Sequence, residues 1–302
     1  MNRRPRGAAI VMAMAVVALA ALAATALLLS QSLWARRIEL SSRHGQASHV
    51  LEAGLDWSRA LLHDDLRASQ VDHAGEPWAL HMPPIPVEGG QLAGGIEDQQ
   101  ARFNLNNLVR QGEVDPEQLA CLQRLLALLE LPESLAATLG DWLDADGLPQ
   151  GGAEDTFYLA QPAPTLAANR PLVDLAELAR VRGFDAAVRE RLQPFVTALP
   201  RATAINVNTA PAEVIAALVP GLGLEGARAL VADRERAIFL DRSGFLSRLP
   251  DGVRLAPERI SVNSDYFLVT MSVQLDGARA HGTALLVRDS AGWPGIAWRK
   301  FP

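Results

Sequence analysis

The 302-residue chain has one cysteine, Cys121, so no intrachain disulfide can form. An oxidising compartment is allowed by this but not indicated. Cys121 lies in LACLQRLLALLEL, an apolar helical pattern in which it reads as a small core residue. No histidine stands between His81 and His281, and none lies near the cysteine. Neither a GxSxG elbow nor a phosphate-cradling glycine loop occurs, so no nucleophile or base is supplied and the chain does not read as an enzyme. Basic charge is also in short supply. Lys and Arg number 28 against 34 Asp and Glu, a net charge of −6, and Arg3, Arg4 and Arg6 all precede the first apolar run. Without them the remainder is more acidic still. It is poorly suited to nucleic acid or anionic lipid and better suited to cations or basic partners. A hydrophobic content of 49% with 21% charged residues is that of a globular chain, not a disordered one.

Charge and proline are both missing from Ala8 to Leu29. At ~1.5 Å per residue those residues reach ~33 Å as a helix, enough to cross a hydrocarbon core of roughly 30 Å. The arginines before the run place the N-terminus in the cytoplasm. A signal peptide would be cut after its apolar run. Here the run continues to about residue 66 without proline, with Leu33, Trp34, Ile38, Leu40, Ala47, Val50, Leu51, Leu55 and Leu62 at spacings of three and four. That is an amphipathic helix fused to a membrane anchor. Gly45 and Gly54 interrupt it at a cost of up to ~1 kcal/mol each. Any cleavage falls before the run, where the small residue is Gly7.

After this helix, 72–104 is rich in Gly and Pro and predicts short strands, at Trp78–His81 and over Gly95–Asn104 with Phe103 inward. From Asp115 the period becomes helical. Asp115-Pro116-Glu117 is a helix start. DPEQLACLQRLLALLEL, PESLAATLGDWLD, PLVDLAELARV (ending at Gly183) and FDAAVRERLQPFV follow as helices. Residues 205–240 hold two short helices across PGLG, similar to a helix-hairpin-helix. That hairpin carries more acids than arginines and lacks the charge excess that phosphate binding needs. SDYFLVTMSVQL alternates as a strand, Asp276-Gly277 is a hairpin turn, and RAHGTALLVRD and GIAWRKF return. The architecture predicted is α+β: a long N-terminal helix (8–29 in the membrane, 30–66 beyond it) on an antiparallel sheet from 72–104 and 261–302. A large helical domain, 105–260, is inserted into that sheet.

The stretch richest in chemistry is Asp141–Asp155, DWLDADGLPQGGAED, with five acids and no base. Clustered carboxylates on a glycine-rich loop need a cation or full solvation, and both readings stay open from spacing alone. Hard oxygen donors without histidine suit Ca²⁺ better than zinc. An EF-hand is rejected because its third acid and distal glutamate are missing.

The basic leader, the lone glycine and the apolar helix resemble the type IV pilin-like proteins, whose leader peptidase cuts after a glycine. Most members carry glutamate at the fifth mature residue. Counting from Ala8, that position is Met12, the departure shown by the minor pseudopilin K branch of type II secretion systems. DWLDADGLPQGGAEDTFYLAQPAP, Asn169-Arg170-Pro171, ELARVRGF and INVNTAP resemble the helical insertion of that branch, and RFNLNNL and SVNSDYFLV its flanks. The resemblance implies a prepilin leader (1–7) cut between Gly7 and Ala8, N-terminal methylation, a single-pass inner-membrane anchor and a periplasmic domain. It further implies two calcium ions, with Asp144, Asp146, Glu154 and Asp155 as ligands and Asp141, Asn169 and Asp174 as weaker ones. The implied partners are the I- and J-type minor pseudopilins, the major pseudopilin, prepilin peptidase and the inner-membrane secretion machinery, with no nucleic acid. The implied role is a non-enzymatic subunit at the tip of the pseudopilus. The alternatives are a minor pilin of a type IV pilus and a membrane-anchored helix-hairpin-helix DNA-binding protein.

Overall fold

The computed structural model describes residues 6–80, 83–275, 278–288 and 292–301. The leader residues 1–5, His81 and the Asp276-Gly277 turn lie outside the described residues, as do the side chains at Gly7, Ala8 and Leu40.

Helix α1 (Arg6–Ala68) is unbroken. Its first half carries exposed Ile10, Val17, Leu28, Leu33, Trp34 and Ile38, and its apolar stretch is long enough to cross a membrane. From Ala47 the same helix changes role. Ala47, Leu51, Leu55, Ser58 and Leu62 recur every three or four residues and are buried on one face. Gly54 sits on that face because a Cβ there would stand 2.8 Å from Met271 Sδ and 3.1 Å from Leu92 Cδ2. The glycine lets helix and sheet approach closely, which offsets its propensity cost.

The surface under α1 is a five-stranded antiparallel sheet, neighbours in the order β1 (Ile85–Val87), β2 (Gly90–Asp98), β3 (Tyr266–Leu275), β4 (Ala278–Val287) and β5 (Gly295–Lys300). In β3 the alternation predicted from sequence puts Phe267, Val269, Met271, Val273 and Leu275 into the core with α1, joined by Ala280, Ala284 and Leu286 of β4. The register pairs Asp98 with Phe267, so the sheet closes across everything inserted between β2 and β3.

Two strand expectations differ from the structure. Trp78–Leu80 form turns, not a strand. The Trp78 indole is buried, donates to Glu76 and meets Phe267 edge-on at 5.1 Å. It plugs the sheet core, and the hairpin comes later, around Gly89 at φ 80°. The second strand starts at Gly90 and stops at Asp98, whose carboxylate accepts the Gln100 N–H and turns the chain into a 3-10 turn, Gln99–Ala101. Phe103 therefore leaves the sheet, pairs in parallel with Val196 and joins the helical core.

The insertion comprises α2 (Pro116–Leu128), α3 (Ser134–Leu143), α4 (Asp155–Leu159), α5 (Ala186–Leu192), α6 (Ala212–Leu218), α7 (Gly223–Arg236) and α8 (Arg242–Leu246). Its core is separate from that under α1 and includes Leu122, Leu125, Leu139, Trp142, Ile215 and Phe245, with Cys121 fully buried among them. Asp115 caps α2 through the N–H groups of Glu117 and Gln118. The segment PLVDLAELARV is a 3-10 helix over Leu175–Arg180, not an α-helix. Within Leu175–Arg180 only Leu178 is buried, and the segment's other buried residues, Leu172 and Val181, lie outside the 3-10 helix.

Sheet and insertion meet at a buried polar junction. The Asn206 amide donates to Asp98, to the Asp72 carbonyl and to Ser264. The hydroxyls of Thr209 and Ser264 donate to the same Asp98 oxygen. Arg288 pairs with Asp65 at 2.8 Å and with Asp72. The INVNTAP motif is thus spent on joining the insertion to β2 and to the end of α1.

Candidate metal centre

The acidic loop leaves α3 and is folded back onto it by one of its own acids. Asp141, in the last turn of α3, accepts the N–H groups of Gln150 at 3.0 Å and Gly152 at 2.9 Å. Gly152 lies so close to α3 that a Cβ would stand 2.4 Å from Thr138 Cα. This closure carries Glu154 back to Asp144, the residue just past the helix end.

The carboxylates of Asp144, Asp146 and Glu154 then converge, with one oxygen from each lying within 4.8 Å of the others. Asp144 is 1% and Glu154 4% exposed, and none of their four carboxylate oxygens has a hydrogen-bond partner among the described residues. Burial, followed by the neighbouring charges of Asp146 and Asp141, pushes Asp144 up to about 6. Burial, followed by the charges of Asp144, Asp141, Asp146 and Asp155, pushes Glu154 up to about 7. Buried acceptors without donors are costly, and like charges add to the cost. A hard cation removes both penalties. Three carboxylates without nitrogen or sulfur are a hard-oxygen donor set, of the kind that suits Ca²⁺, Mg²⁺ or Mn²⁺ better than zinc.

The other acids of the sequence-derived set are engaged differently. Asp141 braces the loop as described. Asp155 accepts the Ala167 N–H at 2.9 Å and ties the following segment down. Asn169, at φ 46°, donates its backbone N–H to the Trp142 carbonyl and its amide to the Asp146 carbonyl, so it flanks the loop. Asp174 caps Ala176 and pairs with Lys300 at the end of β5. Among the described residues a second acid trio exists, Asp65, Asp72 and Glu76, but Arg288 already neutralises the first two and Trp78 and His73 donate to the third. The bracing role of Asp141 and the close approach at Gly152 are invisible to motif reading. The pair Gly151-Gly152 is the one local hint, since paired glycines mark a tight backbone approach.

In the α6–α7 hairpin, Arg228 pairs with Glu225 and Arg236 with Asp233, while Arg234 donates to the carbonyls of Val207 and Ala210. Arg234 is turned inward, while Arg228 and Arg236 stay exposed with an acid one turn before each. Met12 is 69% exposed in the apolar half of α1.

Two family models, both described as type II secretion system protein K, match residues 101–201 and 205–263. The type II secretion system protein K of Pseudomonas aeruginosa is 37% identical over 97% of this chain and 91% of its own length. That of Klebsiella pneumoniae is 32% identical over 100% and 98%. A chain in the crystal structure of the GspK-GspI-GspJ complex from the enterotoxigenic Escherichia coli Type 2 Secretion System superposes with a TM-score of 0.79 at 28% identity, covering 88% of this chain and 99% of that one.

Proposed function

Because the chain belongs to the type II secretion system protein K family, a minor pseudopilin family, we propose that it caps the tip of the secretion pseudopilus as a non-enzymatic subunit. The observation that carries this reading is Met12. In pilin-like filaments the fifth-position carboxylate pairs with an amine of the subunit above. A lone carboxylate in a membrane-buried bundle is expensive, so a subunit with nothing above it is better served by an apolar side chain. Width supports the same position. The insertion between β2 and β3 makes the subunit broad, which a cap tolerates and an interior layer does not.

The partners proposed are the I- and J-type minor pseudopilins, in keeping with the complex that holds the similar chain, and the major pseudopilin below. Exposed Leu33 lies in line with the buried stripe of α1, and Trp34 and Ile38, one turn apart, offer a second apolar face to neighbouring helices. Prepilin peptidase would cut between Gly7 and Ala8, leaving Ala8 to be methylated. The N-terminus would face the cytoplasm, with the anchor in the inner membrane and the rest in the periplasm. Asp144, Asp146 and Glu154 would hold Ca²⁺, supported by the four orphaned oxygens of Asp144 and Glu154, and the ion would act structurally by pinning the loop to α3. The pairing of Arg228 and Arg236 with neighbouring acids, and the inward use of Arg234, weigh against DNA binding. Cross-linking in assembled filaments tests the reading. Adducts confined to one end, with minor subunits, are expected, and protein repeating along the shaft would overturn it.

A further inference from the structure

A basic cavity of about 370 Å³ lies on the insertion, away from the acidic loop, between the start of α2, the Pro220 turn and the segment leading to Arg259. Arg124, Arg254 and Arg259 all line it, and the acid among its lining residues is Glu117. Concentrating three guanidinium groups around one hollow is unexpected in a chain whose net charge is −6. The charges are also poorly compensated. Arg254 makes no hydrogen bond or ion pair among the described residues. Arg124 spends its Nε on the Ala217 carbonyl and has no carboxylate partner among the described residues. The Arg259 side chain is only 11% exposed, and its contact with Glu117, made through Nη1, is a loose 3.4 Å; its Nε and Nη2 are sealed from the cavity and have no acceptor among the described residues, so Nη1 is the group it can present there.

Beyond Glu117, the titratable group beside Arg124 and Arg259 is Cys121. Burial pushes its thiol up to about 11, so it stays neutral and neutralises neither arginine. A largely buried guanidinium with one weak, solvent-exposed counter-ion is destabilising unless a further anion joins it. Planar guanidinium forks match the oxygens of carboxylate and phosphate groups, which makes an oxyanion the fitting occupant.

We propose that the Arg124–Arg254–Arg259 cavity is an oxyanion-binding site, taking a carboxylate or phosphate group. The group can come from a free small anion or from an acidic side chain of another protein, and the experiment separates these. Full-length protein in detergent, with the same free Ca²⁺ in cell and syringe, is titrated calorimetrically with phenyl phosphate, with acetate, and with a terminally blocked Asp/Glu peptide. Heat of binding for phenyl phosphate or acetate assigns a free anion, and binding of the peptide alone assigns an acidic side chain. Either should weaken at least about tenfold in Arg254→Gln and in Arg124→Gln, the loss of one charged hydrogen bond. Arg254→Gln touches no other residue's hydrogen bonds, so its fold should be intact, checked by an unchanged melting curve. No binding by any of the three probes, or equal binding by wild type and both variants, would overturn the proposal.

Discussion

Asp144 and Glu154 face one another across the acidic loop with all four carboxylate oxygens buried and, among the described residues, without a hydrogen-bond donor. Their backbone positions are held by other groups, chiefly the Asp141 brace, so the pair cannot separate without lifting the loop off α3. Calcium should therefore stabilise the chain by RT ln(1 + [L]/Kd), ~2.7 kcal/mol at a hundredfold excess over Kd. Chelator should lower Tm and Ca²⁺ should restore it. In Asp144→Asn with Glu154→Gln the calcium response should vanish, while the chelated variant melts no lower than chelated wild type because the repulsion is gone. A calcium response that survives both changes would place the ion elsewhere.

Gly152→Ala tests the loop closure. Its Cβ would meet the Thr138 backbone, which cannot move aside as a side-chain tip could. A loss of ~1–3 kcal/mol from overpacking is expected. Calcium affinity should fall with it, because Glu154 is only two residues on. A fully stable variant with unchanged affinity would show that the close approach is not required.

The junction at Asp98 predicts a pH dependence. Burial pushes its carboxyl up to about 6, outweighing the hydrogen bonds from Thr209, Ser264 and Gln100. An acid with a raised folded value binds its proton more tightly when folded. Its contribution is therefore most favourable below the ordinary carboxylate range and is lost as pH rises through about 6. The size is on the order of 3 kcal/mol, at ~1.4 kcal/mol per unit. Urea unfolding in saturating Ca²⁺ at pH 5 and pH 7.5 should show wild type losing more stability than Asp98→Asn. Equal losses would remove Asp98 from the account.

Arg288→Met probes the same junction from the other side. It leaves Asp72, buried, and its neighbour Asp65 without their cation. Breaking a buried pair by removing one partner costs about 3–5 kcal/mol. Equilibrium unfolding should register a loss of that size, and Arg288→Lys should recover part of it. A loss below 1 kcal/mol would mean that water replaces the arginine, about what an exposed pair shows.

Processing provides a test at the N-terminus. Mature protein from cells with prepilin peptidase should begin at Ala8 by mass spectrometry. Met12→Glu should be neutral or harmful to filament initiation. A gain of assembly with glutamate would contradict the cap.

Sequence alone determined what depends on composition and short-range period. The apolar run of α1 and its buried stripe, the alternation in β3, the Asp115 cap and the acid-rich loop are all local patterns, set by helix and strand geometry acting on neighbouring residues. Even the order of the layers follows, because strand signals at both ends must pair across the helical block. Tertiary structure alone decided which acids meet. Asp141, Asp144, Asp155 and Asp174 are the same residue type, yet one braces the loop, one faces Glu154, one holds Ala167 and one pairs with Lys300. It also decided that Trp78 plugs the sheet core, that Gly54 lies against Met271, and that Arg124 shares one cavity with the distant Arg254 and Arg259. Each of these rests on contacts between residues distant in sequence, where a shift of an ångström or two changes the partner, and such contacts leave no periodic trace along the chain.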